Sequence, residues 1–163
     1  MNKFQLFLLI SSLLLTASCS KDQRTIRKVQ GEWKISNLQL DYVTKRCGAY
    51  QADSVHFDFN NVGKMNFERN RLEGNYRSGT SYIITPEFKV GNVTFKQDTD
   101  NARFTWFVDQ VQGTDMQKIG MRDDTTNVYR QCFIDELGKS NLKFHYVLSS
   151  NCTKQYYSLS FNR

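Results

Sequence analysis

From Gly31 to the last residue, apolar and polar side chains exchange places at almost every position, in short runs separated by clusters of Gly, Asn, Asp and Ser. A period of two puts successive side chains on opposite faces, the pattern of half-buried strands. Trp33 and Ile35 share one phase, and Leu38, Leu40 and Tyr42 resume in the other, which predicts a bulge near Asn37. Val55, Phe57 and Phe59 alternate with His56 and Asp58. Met65 and Phe67 follow, and the intervening Asn60-Asn61-Val62-Gly63 reads as a hairpin turn. Further runs span Ser81 to Thr85, Phe88 to Lys96, Arg103 to Val108, Asn127 to Ile134, Leu142 to Leu148 and Tyr156 to Phe161.

Nine or ten short strands at this spacing, with no helical pattern between them, predict an all-β fold with antiparallel pairing. A barrel of about 8–10 strands in up-and-down order is expected over a sandwich, because consecutive hairpins suffice to close it and closure removes exposed edges. The 12 Phe, 8 Tyr and 2 Trp fit such a sheet, since aromatic residues favour strands. Phe57, Phe59, Phe67, Phe95, Phe104, Trp106, Tyr146 and Phe161 are large enough to fill its interior. At 39% hydrophobic and 23% charged, the chain is neither disordered nor a multi-pass membrane protein.

Residues 1–18 stand apart. Lys3 is followed by the mostly apolar stretch Phe4 to Leu15 and then by Thr16-Ala17-Ser18-Cys19, the layout of a cleaved export signal. Twelve residues are too few for a helix to cross a hydrocarbon core, which takes about 20. Removal takes away Lys3 and no acid, so the charge falls from +6 to +5. Residues 19–30 then form a tether, with Ile26 and Val29 at helical spacing suggesting a short helical turn, and residues 31–163 form the domain. Lys21, Arg24, Arg27 and Lys28 place four positive charges on that tether, where anionic headgroups would attract them. No basic helix, zinc-finger spacing or RNA-binding aromatic motif occurs, so nucleic acid is not an expected partner.

Ala17-Ser18-Cys19 resembles the lipobox of bacterial lipoproteins, with Thr16 where an apolar residue is usual. The resemblance implies cleavage before Cys19, acylation of its thiol, and anchoring to a membrane through acyl chains of the palmitate type. Ser20, in place of the Asp that retains such proteins at the inner membrane, implies the outer membrane. A second resemblance lies in Gly31-Glu32-Trp33, which is similar to the G-x-W start of lipocalins and other calycins, and in the segment Phe57 to Phe67, which is similar to the following hairpin of bacterial lipocalin-like domains. In that family an Arg or Lys of the last strand stacks on the Trp and closes the barrel floor. The resemblance assigns this role to Arg163, with Arg130 as the alternative. It also implies a small apolar ligand or lipid in the barrel mouth.

With Cys19 acylated, Cys47, Cys132 and Cys152 remain. An oxidising compartment favours one disulfide among them. Of the three pairings, Cys132–Cys152 is preferred, because it closes the short separation that a hairpin spans; Cys47 would then be left over. His56 and His145 are the only histidines, too scattered for a zinc set, and no metal is expected. Asp98-Thr99-Asp100-Asn101 lacks the Gly and distal Glu of a calcium loop and reads as a solvated turn. No phosphate loop, dinucleotide fingerprint or nucleophile elbow is present, so neither a cofactor nor catalysis is expected. The chain reads as a membrane-anchored, non-catalytic binding lipoprotein. The alternative is an accessory subunit docking on an outer-membrane protein assembly, through the barrel wall or through the long connections Val43 to Asp53 and Gln110 to Thr125.

Overall fold

A computed structural model describes residues 21–45, 52–150 and 152–163. Residues 21–29 form a helix, α1. The strands are β1 (Gly31–Lys45), β2 (Ala52–Arg71), β3 (Arg77–Thr85), β4 (Phe88–Val90), β5 (Val93–Phe95), β6 (Asp98–Gln110), β7 (Gln117–Asp123), β8 (Tyr129–Leu137), β9 (Asn141–Ser149) and β10 (Thr153–Asn162). Eight of them close an antiparallel barrel in the order β1-β10-β9-β8-β7-β6-β3-β2. Each wall strand pairs with its neighbour in the chain, and β1 with β10 completes the ring. The β4–β5 pair stands outside the ring as a hairpin between β3 and β6.

The expected bulge near Asn37 is present, as a register shift between Ile35 and Asn37 against both β2 and β10. Its partner lies where a hairpin turn was expected. Asn60 to Gly63 do not reverse the chain: β2 runs through them for 20 residues, and Ile35↔Gly63 and Asn37↔Asn60 leave two residues of β2 facing one of β1. The positive φ of Asn61 (55°) and Gly63 (142°) serves this bulge instead of a turn. Bulging on both strands restores the inward phase, so Trp33, Ile35, Leu38 and Leu40 are all buried.

Three further expectations change. The run from Phe88 to Lys96 is two three-residue strands reversing after Val90, with Gly91 at φ 58°. The expected long connection Gln110 to Thr125 contains a complete wall strand, β7, whose Ile119 and Met121 are buried. Only these two apolar residues mark its inward face, too short an alternation to stand out. Asp98 to Asn101, read as a turn, opens β6.

One end of the barrel is sealed. The stretch expected to be a tether packs against it as α1, with Thr25, Ile26 and Val29 buried. Lys21 pairs with Asp115 at 2.9 Å, and the Gln117 amide donates to Asp22 at 3.0 Å. The Trp33 indole, fully buried, donates to the Val29 carbonyl at 2.6 Å. The Arg163 guanidinium lies 3.8 Å from the Trp33 ring centroid and donates to the carbonyls of Lys28, at 3.0 Å, and Gln30. The structure therefore brings Trp33 and Arg163 together as the floor. A second Arg–Trp contact, Arg77 at 5.7 Å over Trp106, lies farther along the same half of the barrel. Because Arg163 remains solvent-exposed, its removal costs only a modest amount. Arg163→Ala should lower stability by about 1–2 kcal/mol, the scale of one cation–π contact and its hydrogen bonds, read by urea denaturation.

Candidate functional site

The other end of the barrel is built differently. Towards the top of the wall the inward phase of the strands turns polar: Asp100 lies above Ala102, Phe104 and Trp106 on β6, Asp123 above Ile119 and Met121 on β7, and Arg130 above Cys132 on β8. Tyr146 of β9 and Tyr157 of β10 stack at 4.7 Å beside them. Asp100, Phe104, Met121, Asp123, Arg130 and Tyr146, with Ser81 and Ile83 of β3, line a chamber of about 50 Å³. Below it, Phe67, Phe104 and Trp106 meet edge to face at 5.3–5.5 Å, and Phe144 packs on Phe161 at 4.9 Å, so the lower interior is filled.

Two residue pairs higher on β3 and β6, a groove of about 390 Å³ opens at the root of the β4–β5 hairpin, between Thr85, Phe88, Phe95, Lys96, Gln97 and Asp98. The hairpin is held by rings. Phe88 stacks on Phe95 at 4.7 Å and lies 4.6 Å from Phe57, while Phe95 meets Tyr42 at 6.0 Å. Phe57 and Phe59 belong to the upper part of β2, where no β3 residue pairs with it, and the hairpin rings cover that stretch of its inward face.

The charges of the chamber differ in their engagement. Asp123, buried, accepts the backbone N–H groups of Thr125 at 2.9 Å and Thr126 at 2.7 Å, and the Thr126 bond above all holds its carboxyl below the usual range. Loss of solvation pushes the Asp100 carboxyl up against the pull of Arg130, with Asp123 and Asp98 adding to the rise. Burial also raises the phenols of Tyr146 and Tyr157. Arg130 is half-buried at the centre of this set. Among the described residues its guanidinium makes no hydrogen bond and no ion pair.

Of the residues singled out from sequence, Trp33 and Arg163 lie at the opposite end, and Arg130 is in the mouth, away from Trp33. Cys19 and Cys47 lie outside the described residues. Cys132 is fully buried and free, so the Cys132–Cys152 bridge is not formed: Cys132 points into the core, and Cys152 is disulfide-bonded to a partner outside the described residues. Burial pushes the Cys132 thiol up to about 12. Since the thiolate is the reactive species, iodoacetamide at pH 8 should label Cys132 only as fast as the barrel opens. The sign for stability follows. A thiol whose folded value lies above its unfolded value of about 8.5 stabilises the fold below that pH, and the contribution is lost as pH rises towards 12.

His56 and His145 are on the outer wall, paired with Asp41 at 2.5 Å and Asp135 at 2.8 Å. No three His, Cys, Asp or Glu side chains are gathered as metal ligands among the described residues. Among them, too, no helix is long and apolar enough to cross a membrane. Sequence reasoning did not find Asp100, Asp123 and Tyr146 as mouth residues. The available signal was polar groups on the apolar phase of their strands. Comparison with protein-family models, with curated proteins and with solved structures finds no match.

Proposed function

We propose that the protein is a lipid-anchored, non-catalytic binding lipoprotein with a lipocalin-like barrel, held at the outer membrane by acylated Cys19 and taking a small amphipathic molecule or lipid at its open end. The observation that carries the reading is the asymmetry of the barrel. One end is closed by α1, Trp33 and Arg163, and the other opens on a polar chamber beneath an aromatic hairpin. A chamber of about 50 Å³ holds only about three to five water-sized groups, at roughly 10–15 Å³ each. Small-molecule pockets run to about 300–1,000 Å³, so the greater part of a ligand lies in the adjoining groove. The exposed Arg24, Arg27 and Lys28 on α1 suit a membrane-facing floor.

A second reading, docking on a larger outer-membrane assembly, is favoured by the outer wall. There Tyr76 meets Phe107 edge to face at 5.3 Å, and Phe107 and Tyr129 lie nearly parallel at 6.3 Å across Gly120. With Thr105 and Arg122 these rings line a cleft of about 320 Å³.

Native purification from membranes tests both. The intact mass should begin at Cys19 with acyl chains, and Cys19→Ala should move the protein into the soluble fraction. A defined lipid-like molecule in solvent extracts supports the first reading. A membrane protein recovered in fixed ratio, and lost on Phe107→Ala, supports the second. Turnover of a substrate abolished by one carboxylate substitution would overturn the non-catalytic reading.

A further inference from the structure

We propose that the mouth chamber selects an anionic headgroup, a carboxylate or phosphate carried on a hydrocarbon chain, and that Arg130 is the residue that reads it; the inference rests on the ligand-binding reading above. A guanidinium offers five N–H donors in a rigid fork. Arg130 lines the chamber and its guanidinium makes no bond to any described residue, although its charge is felt by Asp100, Asp123, Cys132, Tyr146 and Tyr157. A half-buried cation without acceptors is unfavourable, and the acceptors must come from water or a bound group.

The nearby acids do not supply them. Asp123 is engaged with the Thr125 and Thr126 N–H groups, and Asp100 stands at the exposed rim beyond ion-pair distance. A carboxylate or phosphate matches the fork with two parallel hydrogen bonds, and its small volume fits the chamber. Two residue pairs along β3 and β6 from Ile83 and Asp100 lies the groove lined by Phe88 and Phe95. An anion alone would leave the groove beside those rings empty. A chain without a charged head would leave the Arg130 guanidinium to water alone, so the arrangement fits an anionic amphiphile.

Calorimetric titration of the full chain carrying Cys19→Ala, so that no acyl group of its own competes, tests this with decanoate, decyl phosphate, decanol and decylamine. The anionic probes should bind at least about tenfold tighter than decanol, and Arg130→Gln should remove that advantage while decanol affinity changes less than about twofold. The decanol titration shows that the variant is folded, and Arg130→Lys should restore part of the anion preference. The ratio of decanoate to decyl phosphate tells which head is preferred. Equal binding of decanoate and decanol, unaffected by Arg130→Gln, overturns the headgroup inference and leaves the barrel reading standing. Tighter binding of decylamine overturns it by reversing the sign. Absence of binding by all four probes overturns the ligand-binding reading and this inference with it.

Discussion

Replacing Trp33 by Ala should lower the unfolding free energy by about 3–5 kcal/mol, the range for deleting a fully buried aromatic residue. The loss is more than a cavity. The indole N–H that holds the Val29 carbonyl disappears, Arg163 loses the ring beneath its guanidinium, and α1 loses its fixed point on the barrel. Urea denaturation followed by far-ultraviolet circular dichroism measures the change. Trp33→Phe separates the contributions: the ring stays under Arg163 and the hydrogen bond goes, so about 1–2 kcal/mol of the loss should remain. A cost below 1 kcal/mol for Trp33→Ala would show that the floor does not depend on this residue.

Gly63→Ala should be comparably severe for a backbone reason. Gly63 sits in the β2 bulge at φ 142°, a conformation that side-chain-bearing residues rarely adopt. A Cβ there would stand 1.9 Å from the Tyr82 carbonyl oxygen and 2.9 Å from its carbon, both part of the paired β3 backbone. Neither can rotate away. Strain and overpacking together predict about 3 kcal/mol or more, visible as a lowered thermal midpoint. Gly91→Ala in the β4–β5 turn is the control: φ is again positive, at 58°, but nothing lies within 4 Å, so only the intrinsic penalty of about 1–2 kcal/mol applies.

The alternation that identifies the wall also explains where sequence reasoning stops. Val55, Phe57, Phe59, Leu142, Phe144, Leu159 and Phe161 carry long enough runs to mark their strands directly. The phase change after Ile35 marked a bulge because every inward residue beyond it would otherwise face solvent. Gly and Asn at 60–63 carried no such information. The residues that permit φ > 0 serve a turn and a bulge alike, and only the register against β1 distinguishes them. β7 escaped notice because Asp123 occupies an inward position and Gly120 an outward one, which blurs both faces of a seven-residue strand. The polar mouth was hidden for a related reason. Asp100 and Arg130 look unrelated when each strand is read alone, and they line one chamber only when closure brings β6 and β8 around it. The cysteines depend on long-range geometry, so a short sequence separation between Cys132 and Cys152 was no guide: one thiol lies in the core and the other bonds elsewhere.

The pairing of β1 with β10 bears on how the molecule reaches its folded state. Lys34 to Thr44 meet Thr153 to Asn162, partners more than a hundred residues apart in sequence. All other wall contacts join strands that are neighbours in the chain or separated only by the small hairpin, so they can form as the chain becomes available. The seam must wait for the last strand, and barrels dominated by such distant pairings fold over milliseconds to seconds. Until then the sheet is open, with β1 and β9 presenting unpaired backbone that another chain could occupy. Arg163 donates its backbone N–H to Ser140 at 3.2 Å and its guanidinium to the Lys28 carbonyl at 3.0 Å, so the residue that completes the floor also fastens the last strand beside the first. Shortening β10 by a few residues should therefore reveal itself first as aggregation during refolding, before any change at the mouth.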